Sequence, residues 1–558
     1  MLKSIALLAA GVFLLVLAFP PADLGWLGFV GLVPIVIAFH RTDGKRVYLL
    51  AYGAGVALFL AACTWLAEPA WINLFGMALP EGLVFPLFAL FYRFGVRRAG
   101  LPIWACTPIA WIAAEYIRAT FPLDGFPWLL LGYASWRIEP ILQTADLFGV
   151  WGPGFLMALS SGVIAESVIG WKSGRQRSSR LLRHAGTGLF LVLLAAALVY
   201  GTFRPGTIVL EKGPVVATVQ GNIPQVLKHN PNSAGDVLKR YIDGTRKLFE
   251  TFNHASIDLV VWPETMYPYP VSDGKEGEIW EPDRQVGDRE ARQLERTLLL
   301  DPVVGQITGP AGAWFLVGAL TYRIGDDQKP ERRNSVILYD CAGKRRSSYS
   351  KTVLVPGGEY LPWIDSLPFG DQIESKIVSI AGFVPDLKAG LGADLHTLET
   401  GSGTFRFGTQ ICFENIYGNY CREFVSRGAQ FMVNTSNEGW FKDSAEFDQM
   451  MAMSLFRAVE TRRSLFRSTN TGISCLIDPL GTLPAEETKI ARNGHDREVE
   501  GLLSVEVPLC AERTLFTAVG DLLPRLLLFA QFAILLYSIL RSLWLQKSPS
   551  VIEGVEKK

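Results

Sequence analysis

The chain has 558 residues, more than a single hydrophobic core accommodates, and its 53 basic residues balance its 53 acidic ones. That balance excludes the one-signed field that draws a protein to nucleic acid. Charged residues make up 19%, against roughly 25% in soluble domains, and most of the deficit sits before residue 201 and after residue 520.

Seven apolar stretches precede residue 202: Ile5–Phe19, Leu24–Phe39, Val47–Leu66, Leu74–Phe91, Leu101–Tyr116, Trp151–Ile169 and Gly186–Tyr200. An eighth covers Leu522–Leu540. Each is near the ~20 residues that cross a bilayer's hydrocarbon core. About eight membrane spans are therefore expected. Lys3 followed by an apolar run imitates a signal peptide, but no small-residue cleavage site follows, so an anchor is expected.

The loops between these stretches alternate in charge. Arg41–Arg46 and Arg93–Arg98 carry three basic residues each and Lys172–Arg183 five, whereas Pro20–Asp23 and Glu68–Asn73 carry none. Ala119–Leu147 has only Arg137. Positive loops stay in the cytoplasm, so both termini are expected there, with the segment between spans seven and eight outside. Glu115 and Arg118, near the outer end of the fifth stretch, read equally as functional intramembrane charges or as interfacial snorkelling or a mutual pair. The outer loop Phe121–Trp128, aromatic and Pro-rich, is expected at the bilayer surface.

Between Pro214 and about Pro508 the pattern alternates strand and helix. Strands are expected at Val215–Val219, Ile257–Trp262, Trp314–Tyr322, Ser335–Asp340, Ser347–Val353, Thr404–Phe413, Phe431–Asn434, Ser474–Asp478 and Leu502–Val507. Helices are expected at Asp236–Phe252, Asn415–Arg427 and Ala445–Phe466. Residues 271–310 and 364–400 read as insertions that could act as lids. The expected organisation is a seven-span membrane domain over 1–205, an extracytoplasmic α/β domain over 213–510 and a C-terminal membrane helix over 520–545.

Seven scattered cysteines make no disulfide framework and leave room for a reactive thiol. With no CxxC, no HExxH and six histidines, neither a metal nor another cofactor is expected. Three polar residues fall at strand ends, where catalytic groups gather in α/β domains: Glu264, Lys351 and Cys412. Cys412 would open a helix whose N-terminus favours a thiolate, a carboxylate could take its proton, and a lysine could hold a developing oxyanion. Singly, each has an ordinary explanation: a packed core cysteine, a helix-capping glutamate, a solvated lysine. Spacing alone does not join them.

Their surroundings do. Trp262-Pro-Glu264, the run from Lys351 through Val355-Pro-Gly-Gly-Glu359 to Pro362, and Ile411-Cys412-Phe-Glu414 resemble the Glu–Lys–Cys motifs of the nitrilase (carbon–nitrogen hydrolase) superfamily. Within it, the resemblance is to the apolipoprotein N-acyltransferases. It extends to Val219–Pro224, Asn434–Trp440, Arg467–Gly472 and Gly125–Trp128, and it covers nearly the whole chain.

The resemblance implies an αββα sandwich beside the multi-pass helical domain. It also implies Glu264 as general base, Lys351 as oxyanion stabiliser and Cys412 as nucleophile, with Glu359 a second active-site carboxylate and Glu414 a supporting one. Family members often have Tyr after the cysteine; Phe413 stands here, keeping aromatic packing without the hydroxyl. Trp440 and Phe441, with Trp128 and Trp136, are candidate entrance aromatics, the alternative for each being simple packing.

The implied reaction passes an acyl chain from a membrane phospholipid through a Cys412 thioester to the α-amine of a diacylglyceryl-modified apolipoprotein. A monomer in the bacterial inner membrane, its catalytic domain facing the periplasm, is the expected setting. A membrane-anchored amidase or nitrile hydrolase using water instead, a non-catalytic scaffold and a transporter are the competing readings.

Overall fold

The computed structural model describes residues 1–172, 177–228, 230–252, 257–272, 300–308, 312–324, 330–362, 364, 368–370, 372, 375–376 and 385–547. These divide into two compact units. One comprises Met1–Ala67, Trp71–Thr207 and Val519–Lys558; the other comprises Glu68–Ala70 and Ile208–Ala518.

The first unit is helical. Every apolar stretch marked in the sequence forms a helix, but fewer meet the requirement for crossing a membrane than the eight expected. Among the described residues, Trp71–Ala99, Trp151–Gly170, His184–Phe203 and Leu522–Trp544 are long and apolar enough. Leu2–Ala18, Gly25–Arg41 and Arg46–Ala62 are shorter. Ile103–Thr120 reaches 18 residues but includes Pro108, Glu115 and Arg118. Apolar runs overcount because they continue past helix ends: Val47–Leu66 includes the turn Thr64–Ala67 after its helix stops at Ala62, and Leu24–Phe39 begins with the 3-10 turn Gly25–Phe29.

Arg118 and Glu115 of this unit have separate partners. Arg118 pairs with Glu81 at 2.9 Å, not with Glu115, and donates to the carbonyls of Phe126 (2.7 Å) and Trp128 (2.9 Å). Glu115 instead accepts from the Leu131 amide at 2.8 Å. Both residues thus tie down the loop after the Ile103–Thr120 helix. Trp128 stacks on Phe126, packs against Trp65 and is buried; Trp136 is buried too and donates to Asp23 at 2.6 Å. Packing accounts for these two tryptophans. Phe121 does stay exposed.

The second unit is built on two sheets. Its strands are β1 (Val215–Gln220), β2 (Leu259–Val261), β3 (Tyr267–Ser272), β4 (Trp314–Ile324), β5 (Pro330–Tyr339), β6 (Arg345–Ser350), β7 (Leu395–Thr400), β8 (Gly403–Ile411), β9 (Phe431–Ser436), β10 (Leu465–Thr469), β11 (Cys475–Ile477) and β12 (Gly501–Glu506). One sheet runs β12-β1-β2-β4-β5-β6, with β3 joining β4 beyond the end of β2; the other runs β11-β10-β9-β8-β7. β1, β2 and β4 are parallel neighbours, as are β8, β9 and β10.

The sheets meet through polar as well as apolar groups, including Thr218 and Ser468, whose hydroxyls lie 2.7 Å apart. The Ala234–Thr251 helix covers the first sheet, and Gly418–Ser426 and Ala445–Thr461 cover the second, giving four layers in αββα order. Trp262, Tyr241 and Phe315 lie at the centre of the first helix–sheet layer. Each such side chain contributes on the order of 1.5–3 kcal/mol by burial.

Two expectations are corrected here. The helix expected to run to Phe466 stops at Thr461, where Arg462 takes a left-handed conformation (φ 50°), and Leu465–Thr469 becomes β10. The tail of the expected 364–400 insertion is β7, paired antiparallel with β8. Residues 273–299, and most of 364–384, lie outside the described residues.

Candidate active site

β2 ends at Val261, opposite Thr218 of β1 and Leu316 of β4, and delivers Trp262-Pro263-Glu264 just past that end while β4 runs on to Ile324. The chain then turns sharply: Thr265 adopts φ 51°, a left-handed conformation that costs a β-branched residue energy. Gly318 of β4 makes room for this turn, since a Cβ there would lie 2.3 Å from the Pro263 carbonyl and 2.8 Å from the Thr265 nitrogen. The Glu264 carboxylate, 7% exposed, receives the Asn334 side-chain amide at 2.6 Å on one oxygen and the Asn437 backbone amide at 2.9 Å on the other.

Lys351 follows β6 and is 1% exposed. Its Nζ lies 2.9 Å from both Glu359 oxygens and 3.8 Å from Glu264 Oε1. Glu359 also accepts from the Val355 amide (2.8 Å) and from Asn334 Nδ2 (3.2 Å), so one asparagine bridges both carboxylates. Burial alone would lower the Lys351 ammonium, but Glu359, Cys412 and Glu264 outweigh it and hold it above its ordinary range.

Cys412 follows β8 as the first residue of the turn Cys412–Ile416, with φ 52°. The sequence had suggested a helix N-terminus that stabilises thiolate. The element is instead a five-residue 3-10 turn, and the electrostatics run the other way. Burial, then the Glu264 carboxylate, push the thiol well above its ordinary range; Lys351 and the Ser436 hydroxyl pull less strongly downward. These influences favour the protonated thiol.

Glu414 lies apart from this cluster in its bonding. One of its oxygens accepts from Tyr349 Oη (2.8 Å) and from the Thr352 (2.6 Å) and Val353 (3.0 Å) amides, and the other from the Ile411 amide (2.8 Å). It therefore clasps the segment after Lys351 to the strand end before Cys412. Burial raises it to about 7, against four donors that all favour its charged form. Phe413 packs edge-on against Tyr417 at 5.5 Å. Trp440 and Phe441 are half-buried at the end of the turn Glu438–Trp440. Among the described residues, no group of three or more His, Cys, Asp or Glu side chains converges as a metal site would.

The geometry adds residues that the motifs had not singled out. Asn334 sits one position before the expected strand Ser335–Asp340. Asn437 lies inside the quoted Asn434–Trp440 segment and is oriented by Asn470, which donates to its side chain at 3.0 Å. Lys228, four residues past the quoted Val219–Pro224, reaches Thr265 Oγ1 at 2.5 Å.

Comparison with known proteins agrees along the chain. Residues 10–163 match the family model of the apolipoprotein N-acyltransferase N-terminal domain, and 215–509 match that of carbon-nitrogen hydrolase. The chain is 31% identical over 480 residues, 84% of each chain, to an apolipoprotein N-acyltransferase from Geobacter metallireducens. A protein of the same name from Methylococcus capsulatus is 28% identical over 496 residues, covering 86% of this chain and 87% of its own. Among solved structures, an amidase from Nesterenkonia sp. aligns with 54% of this chain and 93% of its own at 17% identity, TM-score 0.35. A carbon-nitrogen hydrolase from Helicobacter pylori aligns with 52% and 88% at 13% identity, TM-score 0.36. On the sequence matches, the chain belongs to the apolipoprotein N-acyltransferase family and is an enzyme, its second unit a carbon-nitrogen hydrolase domain.

Proposed function

We propose that the enzyme transfers an acyl chain from a membrane phospholipid, through a thioester on Cys412, to the α-amine of the N-terminal diacylglyceryl-cysteine of an apolipoprotein. The observation that carries this reading is the gathering of one ammonium, two carboxylates and a protonated thiol at adjoining strand ends, with Lys351 Nζ 2.9 Å from Glu359 and 3.8 Å from Glu264.

Glu264 takes the Sγ proton as the sulfur attacks the ester carbonyl. The new C–S bond places negative charge on the carbonyl oxygen, which Lys351, with a backbone amide near Cys412 or Phe413, stabilises. Collapse breaks the C–O bond, and Glu264 returns the proton to the departing lyso-phospholipid. The acceptor amine then attacks the thioester, C–N forms as C–S breaks, and the amine proton passes through Glu264 back to the Cys412 sulfur. Glu359 holds Lys351 in place throughout, and Glu414 keeps the two catalytic loops in register.

The helical unit fits lipid substrates. Each CH₂ withdrawn from the bilayer costs about 0.8 kcal/mol, so a membrane-embedded enzyme avoids extracting its donor and acceptor. A multi-pass placement in the bacterial inner membrane, with the catalytic unit facing the periplasm, both termini cytoplasmic and Trp440 and Phe441 at the substrate entrance, completes the proposal. The supporting signal is the alternation of basic loops.

The test is acyl transfer itself. Detergent-purified enzyme given phospholipid with a labelled acyl chain and a diacylglyceryl-cysteine peptide should move the label to the peptide amine. Label released only as free fatty acid would make the enzyme a lipid hydrolase and refute the proposed acceptor.

A further inference from the structure

A second lysine stands behind the carboxylate assigned as base. Lys228 closes the short helix Gln225–Lys228 that follows β1, and its Nζ donates to Thr265 Oγ1 at 2.5 Å and to the Glu264 carbonyl at 3.4 Å. Both acceptors are neutral oxygens on the left-handed turn that carries Glu264. Such a turn at a non-glycine residue costs on the order of 1–3 kcal/mol and persists only where its surroundings hold it. Gly318 passes against it from β4, where a Cβ would meet the Pro263 carbonyl at 2.3 Å, and Lys228 grips it through the Thr265 side chain.

A grip of this kind does not require a charge. Lys228 is half-buried, and an ammonium bonded there only to neutral oxygens is more costly than a neutral donor. The charge has neighbours to act on, however. The groups whose charge acts on Lys228 are Glu264, after β2, and Cys412, after β8. We infer that Lys228 is a positioning residue for Glu264: it fixes the turn that aims the carboxylate and sets a second positive charge, beside that of Lys351, against the Glu264–Cys412 pair. This rests on the roles proposed above for those two residues.

The consequence is a carboxylate whose turn is held by Lys228 and which has two lysines near it, Lys228 and Lys351. Burial pushes Lys228 down to about 8, so its charge is present at neutral pH and is lost as pH rises past that value. Arginine at the same place would retain it.

The experiment measures single-turnover acylation of Cys412 by labelled phospholipid in the full-length enzyme, as a function of pH and donor concentration. Lys228→Met should slow acylation at pH 7 by about tenfold or more and leave the half-saturating donor concentration within about twofold. It should also move the acid limb of the profile to higher pH. Lys228→Arg should recover most of the rate and lack any fall-off above pH about 8 that traces to the lysine. Thr265→Val, which keeps the charge and removes its main acceptor, should slow acylation several-fold with the acid limb unmoved.

The inference is overturned if Lys228→Met acylates at the wild-type rate. It is equally overturned if the loss is confined to donor half-saturation, which would place Lys228 on the donor's phosphate. Lys228→Arg carries the test alone should Lys228→Met not fold; an alkaline fall-off identical to wild type in that variant would sink it. Glu264→Gln separates the two levels. If Glu264→Gln is inactive while Lys228→Met is not, only the role of Lys228 fails. If Glu264→Gln acylates normally, the proposed mechanism fails with it.

Discussion

In the helical unit Arg118 meets one carboxylate and two backbone carbonyls, and Glu115 meets a backbone amide, so these two buried charges are committed to holding a loop. In the sandwich, Lys351 faces two carboxylates and a thiol at once, and those acidic groups also crowd one another. The same contrast recurs within the sandwich. Glu414 is saturated by four donors, whereas Glu264 is held by two amides and lies 3.8 Å from the Lys351 ammonium. A buried charge therefore does not mark a reactive site by itself. On the proposed mechanism, an excess of acidic groups over fixed donors does.

Substitutions should rank along that contrast. The largest loss is expected for Cys412→Ala and Glu264→Gln, which remove the proposed nucleophile and its proposed proton acceptor: acylation should fall by at least about 10³-fold in a single-turnover assay while melting stays near wild type. Lys351→Met should follow, at about 10²–10³-fold, because the oxyanion loses its fixed cation. That variant should also be less stable, since the Glu264 and Glu359 carboxylates are left facing each other without it.

Glu414→Gln should act mainly on structure. Its amide nitrogen would find donors on every side, a mismatch costing about 1–3 kcal/mol at a buried position. Acylation per folded molecule should fall by about tenfold or less. Its pH signature has a definite sign. Burial raises Glu414 to about 7, so its contribution to stability is full below the ordinary glutamate range and declines as pH rises through about 7. Melting temperatures between pH 5 and 8 should show that decline in wild type and lose it in Glu414→Gln.

The smallest effect on chemistry belongs to the helical unit. Arg118→Met breaks a buried pair and should cost about 3–5 kcal/mol of stability, yet leave acylation by the surviving folded enzyme within about twofold. A rate loss as large as that of Lys351→Met would erase the distinction between the two regions.

What the sequence disclosed follows the same division. Apolar runs located the long helices of the first unit, because lipid and core alike demand continuous apolar faces, but missed the short helices Glu139–Leu142 and Ala145–Phe148 and could not see where turns shorten the long ones. In the sandwich, β1, β4, β8 and β9 were legible as bounded β-branched or aromatic runs. β10 was not, because nothing in Arg462-Arg463-Ser464 signals a break locally. Its cause is tertiary: Arg462 is buried and donates to the Pro479 carbonyl at 3.0 Å. β7 was hidden by its half-exposed, polar face.

Glu264, Lys351, Cys412 and Glu359 were legible through their flanking motifs, and the structure gathers them at one edge. Asn334, Asn437 and Lys228 were not, since each acts through a donor aimed across the fold, which no spacing rule encodes. Glu414 was legible as important but not as a clasp, because its partners are backbone amides.

The most direct test of the account is the intact mass of the enzyme after exposure to phospholipid carrying a labelled acyl chain, without acceptor. A single adduct of one acyl group, released by hydroxylamine and absent from Cys412→Ala, is the predicted result. A folded wild-type enzyme that transfers label to a diacylglyceryl-cysteine peptide yet never carries it, or a Cys412→Ala variant that carries it equally, would contradict the thioester at the centre of the mechanism.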